Sequence, residues 1–91
     1  MSSDIFELEV QSRGGIIFKD KVVSITSFNE TGKFDVLAEH ANFISLITKS
    51  LIIRSEKGEV KKINFDNALI RVRQNRAEVY IGVQTLSDNQ Y

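Results

Sequence analysis

Cysteine, proline and tryptophan are absent from this 91-residue sequence, and histidine occurs once, as His40. Without cysteine the sequence offers no disulfide and no thiolate ligand for a metal. A metal site would have to combine His40 with carboxylates such as Asp35 and Glu39, without the spaced histidine or cysteine pairs that hold zinc in proteins. We therefore predict that the chain binds no metal and no cofactor.

Net charge of either sign is also missing, since 12 basic side chains balance 12 acidic ones. Nucleic-acid-binding domains usually carry a basic excess, so the balance argues against that class. No apolar run approaches the roughly 18–20 residues that span a bilayer. The opening MSSDIFELEV has neither the basic lead nor the apolar core of a secretion signal. These absences predict one soluble intracellular domain, and 42% hydrophobic with 26% charged residues is typical of a globular one.

Alternation of apolar and polar residues dominates what is present. In IFELEV the phenylalanine, leucine and valine fall on one face and the glutamates on the other, as a half-buried strand requires. Turn signals recur about every 8–12 residues, which predicts an all-β fold: a flattened sandwich or barrel of about eight to ten short strands. Predicted breaks are the Thr48–Ser50 stretch and an Asp66–Ala68 turn, while IIFKDKVVSITSF is predicted as either two short strands or one long bent strand with Asp20 near its middle. The sandwich is predicted to cover residues 1–84, followed by a polar tail at 85–91.

His40 is the one histidine available as a general base. Catalysis by a hydroxyl nucleophile needs a base oriented toward it, and Ser45 or Ser50 is near His40 only along the chain. A phosphate-binding glycine motif is also lacking, because Gly14–Gly15 alone indicates a turn. We predict no catalytic residue and interpret His40 as a loop residue whose ring ties the loop to the backbone.

A basic stripe on one face of the sheet is the main alternative. Small β-barrels bind single-stranded nucleic acid by combining such stripes with exposed aromatic residues, here Tyr80. The same alternation is more typical of an ordinary solvated sheet face. The stripe would consist of Lys61, Lys62, Arg71 and Arg73, with Arg76 beside them.

Longer motifs between Phe6 and Val83 resemble a known family. The opening FELEVQSRGGIIF is similar to its first strand, turn and phenylalanine. KVVSITSFNETGKFDVLAEHANFIS resembles its strand, glycine turn and histidine signature, and SLIIRSEKGEVKKINFDNALIRVRQNRAEVYI resembles its closing strands. By order, spacing and length, the chain is similar to the N-terminal β-sandwich domain of the epsilon subunit of rotary ATP synthases.

The resemblance implies a noncatalytic rotor subunit of the central stalk that couples rotation of the c-ring to the γ shaft. Its partners would be the γ subunit and the c-ring, with no nucleic acid and no small-molecule ligand. It would lie at the cytoplasmic face of the membrane, or the organellar equivalent, held there through the complex. The implied ring contacts are Glu30, Thr31, Gly32, Lys33, Phe34, Asp35 and His40. The implied γ contacts are Ser12, Asn42, Phe43 and Ile44.

The sequence departs from the family pattern mainly in its turns. The P-G-H-A-P signature is here AEHAN at residues 38–42, which keeps the histidine but loses both prolines and the glycine. Lys49–Ser50 stands in place of P-G, and Asp66–Ala68 in place of S-G-G. Lys33 stands where many relatives carry an acidic residue, which implies a ring surface with matching acidic groups. The family's inhibitory C-terminal helical hairpin has no match in these 91 residues, so we expect coupling without that inhibition.

Overall fold

A computed structural model describes residues 5–82, which form six β-strands. The predicted domain limit at residue 84 and the predicted tail at 85–91 lie outside the described residues. Within residues 5–82, no helix is long and apolar enough to cross a membrane. The strands, numbered in chain order, are β1 (Phe6–Ser12), β2 (Gly15–Asn29), β3 (Gly32–Leu37), β4 (Phe43–Ser55), β5 (Val60–Arg73) and β6 (Arg76–Ile81).

The strands close into a flattened barrel. Their order is β1-β6-β5-β4-β2-β3, and β1 also pairs with β2, which completes the ring. Neighbours are antiparallel except β1 and β6, which run parallel. β1 pairs with the first half of β2, and β3 pairs with the second half of β2. Both lie along the same edge of β2. The predicted all-β sandwich or barrel is confirmed.

The number of strands is six among the described residues rather than the predicted eight to ten. Three of them have 13 to 15 residues and run through the predicted breaks. Asp20 stays in the ladder opposite Leu8. Asp66 is the extra residue of a bulge, since β4 pairs with the residues on either side of it. Bulges let a polar residue interrupt a ladder without ending the strand, which pattern reading alone does not distinguish from a turn.

A second irregularity bends β4 at Lys49. This residue has φ 75°, in the left-handed region that favours glycine. Ser27 Oγ donates to the carbonyl oxygen of Ser50 at 2.7 Å, and the two residues are only 1% and 4% exposed. The hydrogen bond satisfies a buried carbonyl where the ladder between β2 and β4 shifts register. The Lys49 ammonium lies 5.1 Å from the centroid of the Phe28 ring, so its charge is also accommodated.

Apolar side chains from all six strands fill the barrel, and none of them is more than 3% exposed. Burial of each large aliphatic side chain stabilises the fold by about 1.5–3 kcal/mol. The alternation in the first strand is confirmed, because its apolar residues are all in this core. The core residues are Phe6, Leu8, Val10, Val22, Ile25, Val36, Ile47, Leu51, Ile53, Ala68, Ile70, Val72, Ala77 and Val79.

Candidate interaction surface

Charged side chains cover the outer face of the sheet formed by β5, β6 and β1. Strand register places Arg71 beside Glu78 and Glu78 beside Glu9, with Arg76 beside Glu7 in the next row. We call these five residues the charge ladder. Opposite charges on neighbouring strands stabilise a sheet, so this arrangement supports the closure of the barrel.

Glu78 is the centre of the charge ladder. Its Oε1 accepts hydrogen bonds from Arg71 Nη2 at 2.6 Å and Nε at 3.0 Å, and its Oε2 accepts one from Arg76 Nε at 3.3 Å. The Glu78 side chain is only 15% exposed. The Arg71 hydrogen bond, which outweighs desolvation, holds the pKa of Glu78 below its ordinary value of 4.5.

Arg76 connects β6 to β1 across the parallel junction. Its Nη1 donates to Glu7 Oε1 at 2.7 Å and its Nη2 to Glu9 Oε1 at 2.9 Å. Glu9 is buried, and its other oxygen accepts a hydrogen bond from Gln11 Nε2 at 2.8 Å. The charges of the ladder are therefore satisfied within the domain.

This pairing removes the basis for the nucleic-acid alternative. Arg71 is paired with Glu78 and is not available as part of a basic stripe. Lys61 and Lys62 lie at the other end of β5 from Arg73, roughly 36–40 Å away along the strand at about 3.3 Å per residue. The four predicted basic residues do not form one surface, so that alternative is not supported.

A groove borders the charge ladder where the start of β4 meets the β5–β6 turn. One part has a volume of about 430 Å³ and is lined by Asn42, Phe43, Ile44, Arg71, Val72 and Arg73. A second part of about 350 Å³ is lined by Asn42, Arg73, Gln74 and Arg76. Because Asn42 and Arg73 line both parts, we treat them as one surface and call it the groove. Three of the four predicted γ contacts lie there.

Exposed aliphatic side chains continue from the groove along the outward face of β4. Ile44 is 65% exposed and Leu46 60% exposed. Leu46 pairs across the ladder with Leu69, which is half-buried. Large apolar side chains on a surface rimmed by polar residues are typical of protein–protein contacts.

His40 lies in the loop between β3 and β4. Its backbone N–H donates to the Leu37 carbonyl at 3.2 Å, and its Nδ1 is 2.9 Å from the carbonyl oxygen of Ala41. The imidazole packs against Phe43, with ring centroids 5.1 Å apart. This geometry agrees with the loop role predicted for His40, and its hydrogen bonds within residues 5–82 involve neither Ser45 nor Ser50.

Asn75 fixes this loop, a role that the sequence pattern does not indicate. Its Oδ1 accepts a hydrogen bond from the Glu39 N–H at 3.3 Å, and its Nδ2 donates to the Ile5 carbonyl at 2.9 Å. Asn42 Oδ1 accepts another from the Gln74 N–H at 3.3 Å. Gln74 and Asn75 both have positive φ, as a two-residue type I′ hairpin requires. Side-chain amides thus hold the loop that contains no proline.

The predicted ring-contact segment is only partly a loop. Glu30 and Thr31 form the β2–β3 turn, where the Thr31 N–H and hydroxyl donate to Asn29 Oδ1 at 2.9 and 2.6 Å. Gly32, with φ 123°, begins β3 at a position that most residues would occupy only with strain. Lys33, Phe34 and Asp35 lie within strand β3 and not in the turn.

Phe34 and Asp35 also have contacts within the domain. The Phe34 ring packs edge-on against Phe43, with centroids 5.9 Å apart. Asp35 Oδ1 accepts a hydrogen bond from Thr26 Oγ1 at 2.5 Å, and the same hydroxyl oxygen accepts one from Arg54 Nη1 at 2.9 Å. Lys33 is the exposed basic residue of the segment, and Glu30 and Asp35 are its exposed acidic residues.

The structure does not bring all the predicted contacts of each partner together. His40 lies near Leu37, at the opposite end of the six-residue β3 from the Glu30–Thr31 turn, about 17–20 Å away. It is instead grouped with Phe43, a predicted γ contact. Ser12 is at the β1–β2 hairpin, at the far end of β1 from the Asn75 turn. Among residues 5–82, no group of three or more His, Asp or Glu side chains is placed to hold a metal.

The strands form a closed barrel, and an open groove lies on its surface beside the charge ladder. These two features define a small β-sandwich domain with an accessible outer surface. Residues 5–83 match the sequence profile of the family described as "ATP synthase, Delta/Epsilon chain, beta-sandwich domain". The match covers most of the chain, so the chain belongs to this family. The resemblance stated from the sequence motifs is thereby confirmed.

Individual relatives agree with this assignment. The chain is 32% identical over 79 residues to an ATP synthase epsilon chain of a Nitratiruptor species, covering 86% of this chain and 61% of that protein. It is 29% identical over 76 residues to the epsilon chain of Sulfurimonas denitrificans, covering 82% of this chain and 58% of that protein. The chain thus spans about 60% of the length of these curated relatives.

Solved structures share the fold. A chain in the cryo-EM structure of the Euglena gracilis mitochondrial ATP synthase, OSCP/F1/c-ring, superposes with a TM-score of 0.80 at 17% identity, covering 86% of this chain and 51% of that chain. A chain of the Tetrahymena thermophila mitochondrial ATP synthase central stalk and c-ring gives a TM-score of 0.69 at 14% identity, covering 82% and 61%. At these identities the similarity establishes the fold.

Proposed function

We propose that this domain is a noncatalytic rotor subunit of a rotary ATP synthase that couples the c-ring to the γ subunit. The observation that carries the proposal is the family match over residues 5–83, in a chain whose described residues form the same sandwich. The relatives bear the name ATP synthase epsilon chain, and the titles of the similar structures name the c-ring and the central stalk. The domain then sits at the cytoplasmic side of the membrane as part of the complex.

The groove supports a contact with γ. Asn42, Phe43 and Ile44 form one side of it, and two of them expose surface that the barrel does not cover. His40 packs beside Phe43, so it belongs with this contact more naturally than with the ring. Ser12 would be a separate γ contact at the β1–β2 hairpin.

The β2–β3 turn supports a contact with the ring. Glu30, Thr31 and Lys33 are exposed at one end of β3, and the loop with His40 follows its other end. The domain is elongated, 50 Å by 25 Å by 21 Å, so two partners fit on separate surfaces. Lys33 predicts an acidic group on the facing ring surface.

Assembly with γ is the first experiment. The chain is mixed with the γ subunit of the same organism and analysed by size-exclusion chromatography with light scattering. The proposal expects a 1:1 complex. Separate elution with each partner at about 10 μM, where a complex with a dissociation constant of about 1 μM or less would persist, would contradict the proposal.

Coupling tests the ring contact separately. Lys33→Glu in the reconstituted enzyme should lower ion-driven ATP synthesis while the complex with γ forms as before, because only the charge facing the ring is reversed. Lys57→Glu, which reverses an exposed charge in the β4–β5 turn, is the matched control. Equal synthesis rates in wild type, Lys33→Glu and the control would exclude the proposed role of Lys33.

A further inference from the structure

Arg73 is the one arginine lining the groove whose charge has no counterpart among residues 5–82. Arg71 and Arg76 both form salt bridges with glutamates of the charge ladder, whereas Arg73 forms none in this part of the chain. Arg73 is exposed and stands directly opposite Arg76 in the β5–β6 ladder. Like charges in opposite positions repel, so an anion from outside the domain would relieve this pair.

The groove also presents an apolar surface close to Arg73. Ile44 lies opposite Arg71 on the adjacent strand, and Phe43 lies opposite Val72, the residue that precedes Arg73. Ile44 is 65% exposed although it lies within a strand and next to a concave surface. An aliphatic side chain of a partner that packs on Ile44 would bury apolar area of the partner and of this domain.

The charge ladder restricts the kind of anion that fits. Glu7, Glu9 and Glu78 lie on the same outer face, so a polyanion such as nucleic acid would meet carboxylates on leaving Arg73. A single carboxylate avoids that repulsion and matches the planar donor fork of a guanidinium. The groove therefore favours an acidic side chain of a protein partner.

We propose that the groove receives a segment of the γ subunit in which an aspartate or glutamate lies beside an aliphatic side chain. The carboxylate pairs with Arg73, and the aliphatic side chain packs on Ile44, which lies on the same outer face. This inference rests on the proposed function, and it adds that Arg73 selects the partner by charge.

Charge reversal at Arg73 is the direct test. The dissociation constant for γ is measured by isothermal titration calorimetry for wild type, Arg73→Glu and Arg73→Lys. Arg73→Glu should weaken binding by about 30-fold or more and Arg73→Lys by only a few-fold, because lysine keeps the charge without the fork. Lys61→Glu reverses an exposed charge on the same strand, far from the groove, and should bind like wild type.

Charge-swap variants of γ then identify the partner residue. Each acidic residue of γ is replaced by arginine in turn and combined with Arg73→Glu, and one replacement should restore binding at least tenfold. Circular dichroism of every variant shows that it is folded. Equal affinity of wild type and Arg73→Glu would overturn this inference alone and leave the rotor function intact. Failure of the wild type to bind γ would overturn the proposed function and the inference with it.

Discussion

The charge ladder and the groove lie side by side on the same outer surface, and their side chains are satisfied in different ways. In the ladder, Arg71 and Arg76 are paired with glutamates of the domain itself. In the groove, Arg73 has no such partner among residues 5–82, and Ile44 stays 65% exposed. The comparison separates charged residues that are paired across the strands of the barrel from residues that are exposed and have no such pairing among residues 5–82.

The largest expected effect is on partner binding through the groove. Ile44→Asp should weaken binding to γ by roughly 100-fold, because it places a carboxylate where the apolar contact forms and where an acidic partner group approaches. The free energy of unfolding should change little, since the side chain is already in solvent. Calorimetry and urea unfolding measure the two quantities.

Val60→Asp provides the matched control for that substitution. Val60 is also 65% exposed, but it begins β5 far from the groove. It should leave γ binding within about twofold of wild type, as expected for a residue outside the contact. Equal binding by Ile44→Asp would show that the groove is no more involved than the rest of the surface.

The next effect is on stability through the charge ladder. Glu78→Gln should lower the free energy of unfolding by about 1 kcal/mol, because two arginines lose a charged acceptor. γ binding of the folded variant should stay the same. Urea unfolding at pH 7 is compared with Glu56→Gln, which changes an exposed carboxylate in the β4–β5 turn. A loss of γ binding in Glu78→Gln with unchanged stability would reverse the roles assigned to the two surfaces.

The contribution of the Glu78 carboxylate to stability should also depend on pH. Hydrogen bonding from Arg71 lowers the pKa of folded Glu78 below 4.5, so ionised Glu78 stabilises the fold at pH values above about 4.5. That contribution is lost as the pH falls through the lowered folded-state pKa. Stability profiles of wild type and Glu78→Gln should therefore converge as the pH falls below that lowered pKa. Parallel profiles throughout would show that the pairing does not stabilise the folded state.

The smallest effect lies outside both surfaces, at the bend of β4. Lys49→Gly and Lys49→Ala both remove the ammonium beside Phe28, but only glycine adopts φ 75° without strain. The glycine variant should be more stable than the alanine variant by about 0.5–1 kcal/mol in urea unfolding. Identical stability would indicate that the bend stores no strain at this residue.

Much of the fold was predictable because local alternation determines which face of a strand is buried. Leu8 and Val10 read as core residues and are fully buried. The sequence leaves a break at Asp20 open and predicts a turn at Asp66, yet both residues lie within long strands. A polar residue at a bulge and one at a turn look alike in the sequence, because the difference depends on the pairing of the neighbouring strand.

The charged residues show why the surface was harder to predict. The nucleic-acid alternative places Arg71 in a basic stripe, and its pairing with Glu78 follows only from the register of the β5–β6 hairpin. Glu9 alternates with core residues, so the sequence pattern predicts that it is exposed. It is instead buried and paired with Arg76, which is 67 positions away in the chain. The family resemblance groups His40 with the Glu30–Thr31 turn as ring contacts, but the length of β3 separates the two.

The parallel junction of β1 with β6 has a further consequence for how the domain is made. Arg76 and Glu7 are 69 positions apart in the chain. The first strand to be synthesised, β1, can therefore pair with β6 only after β6, the last described strand, has been made. The barrel therefore closes only after the whole segment has left the ribosome, and contacts of such long range slow folding toward milliseconds to seconds. During that interval one edge of β1 exposes unpaired backbone groups to other nascent chains. The β1 edge that closes the folded barrel is thus also an edge through which the nascent chain can aggregate.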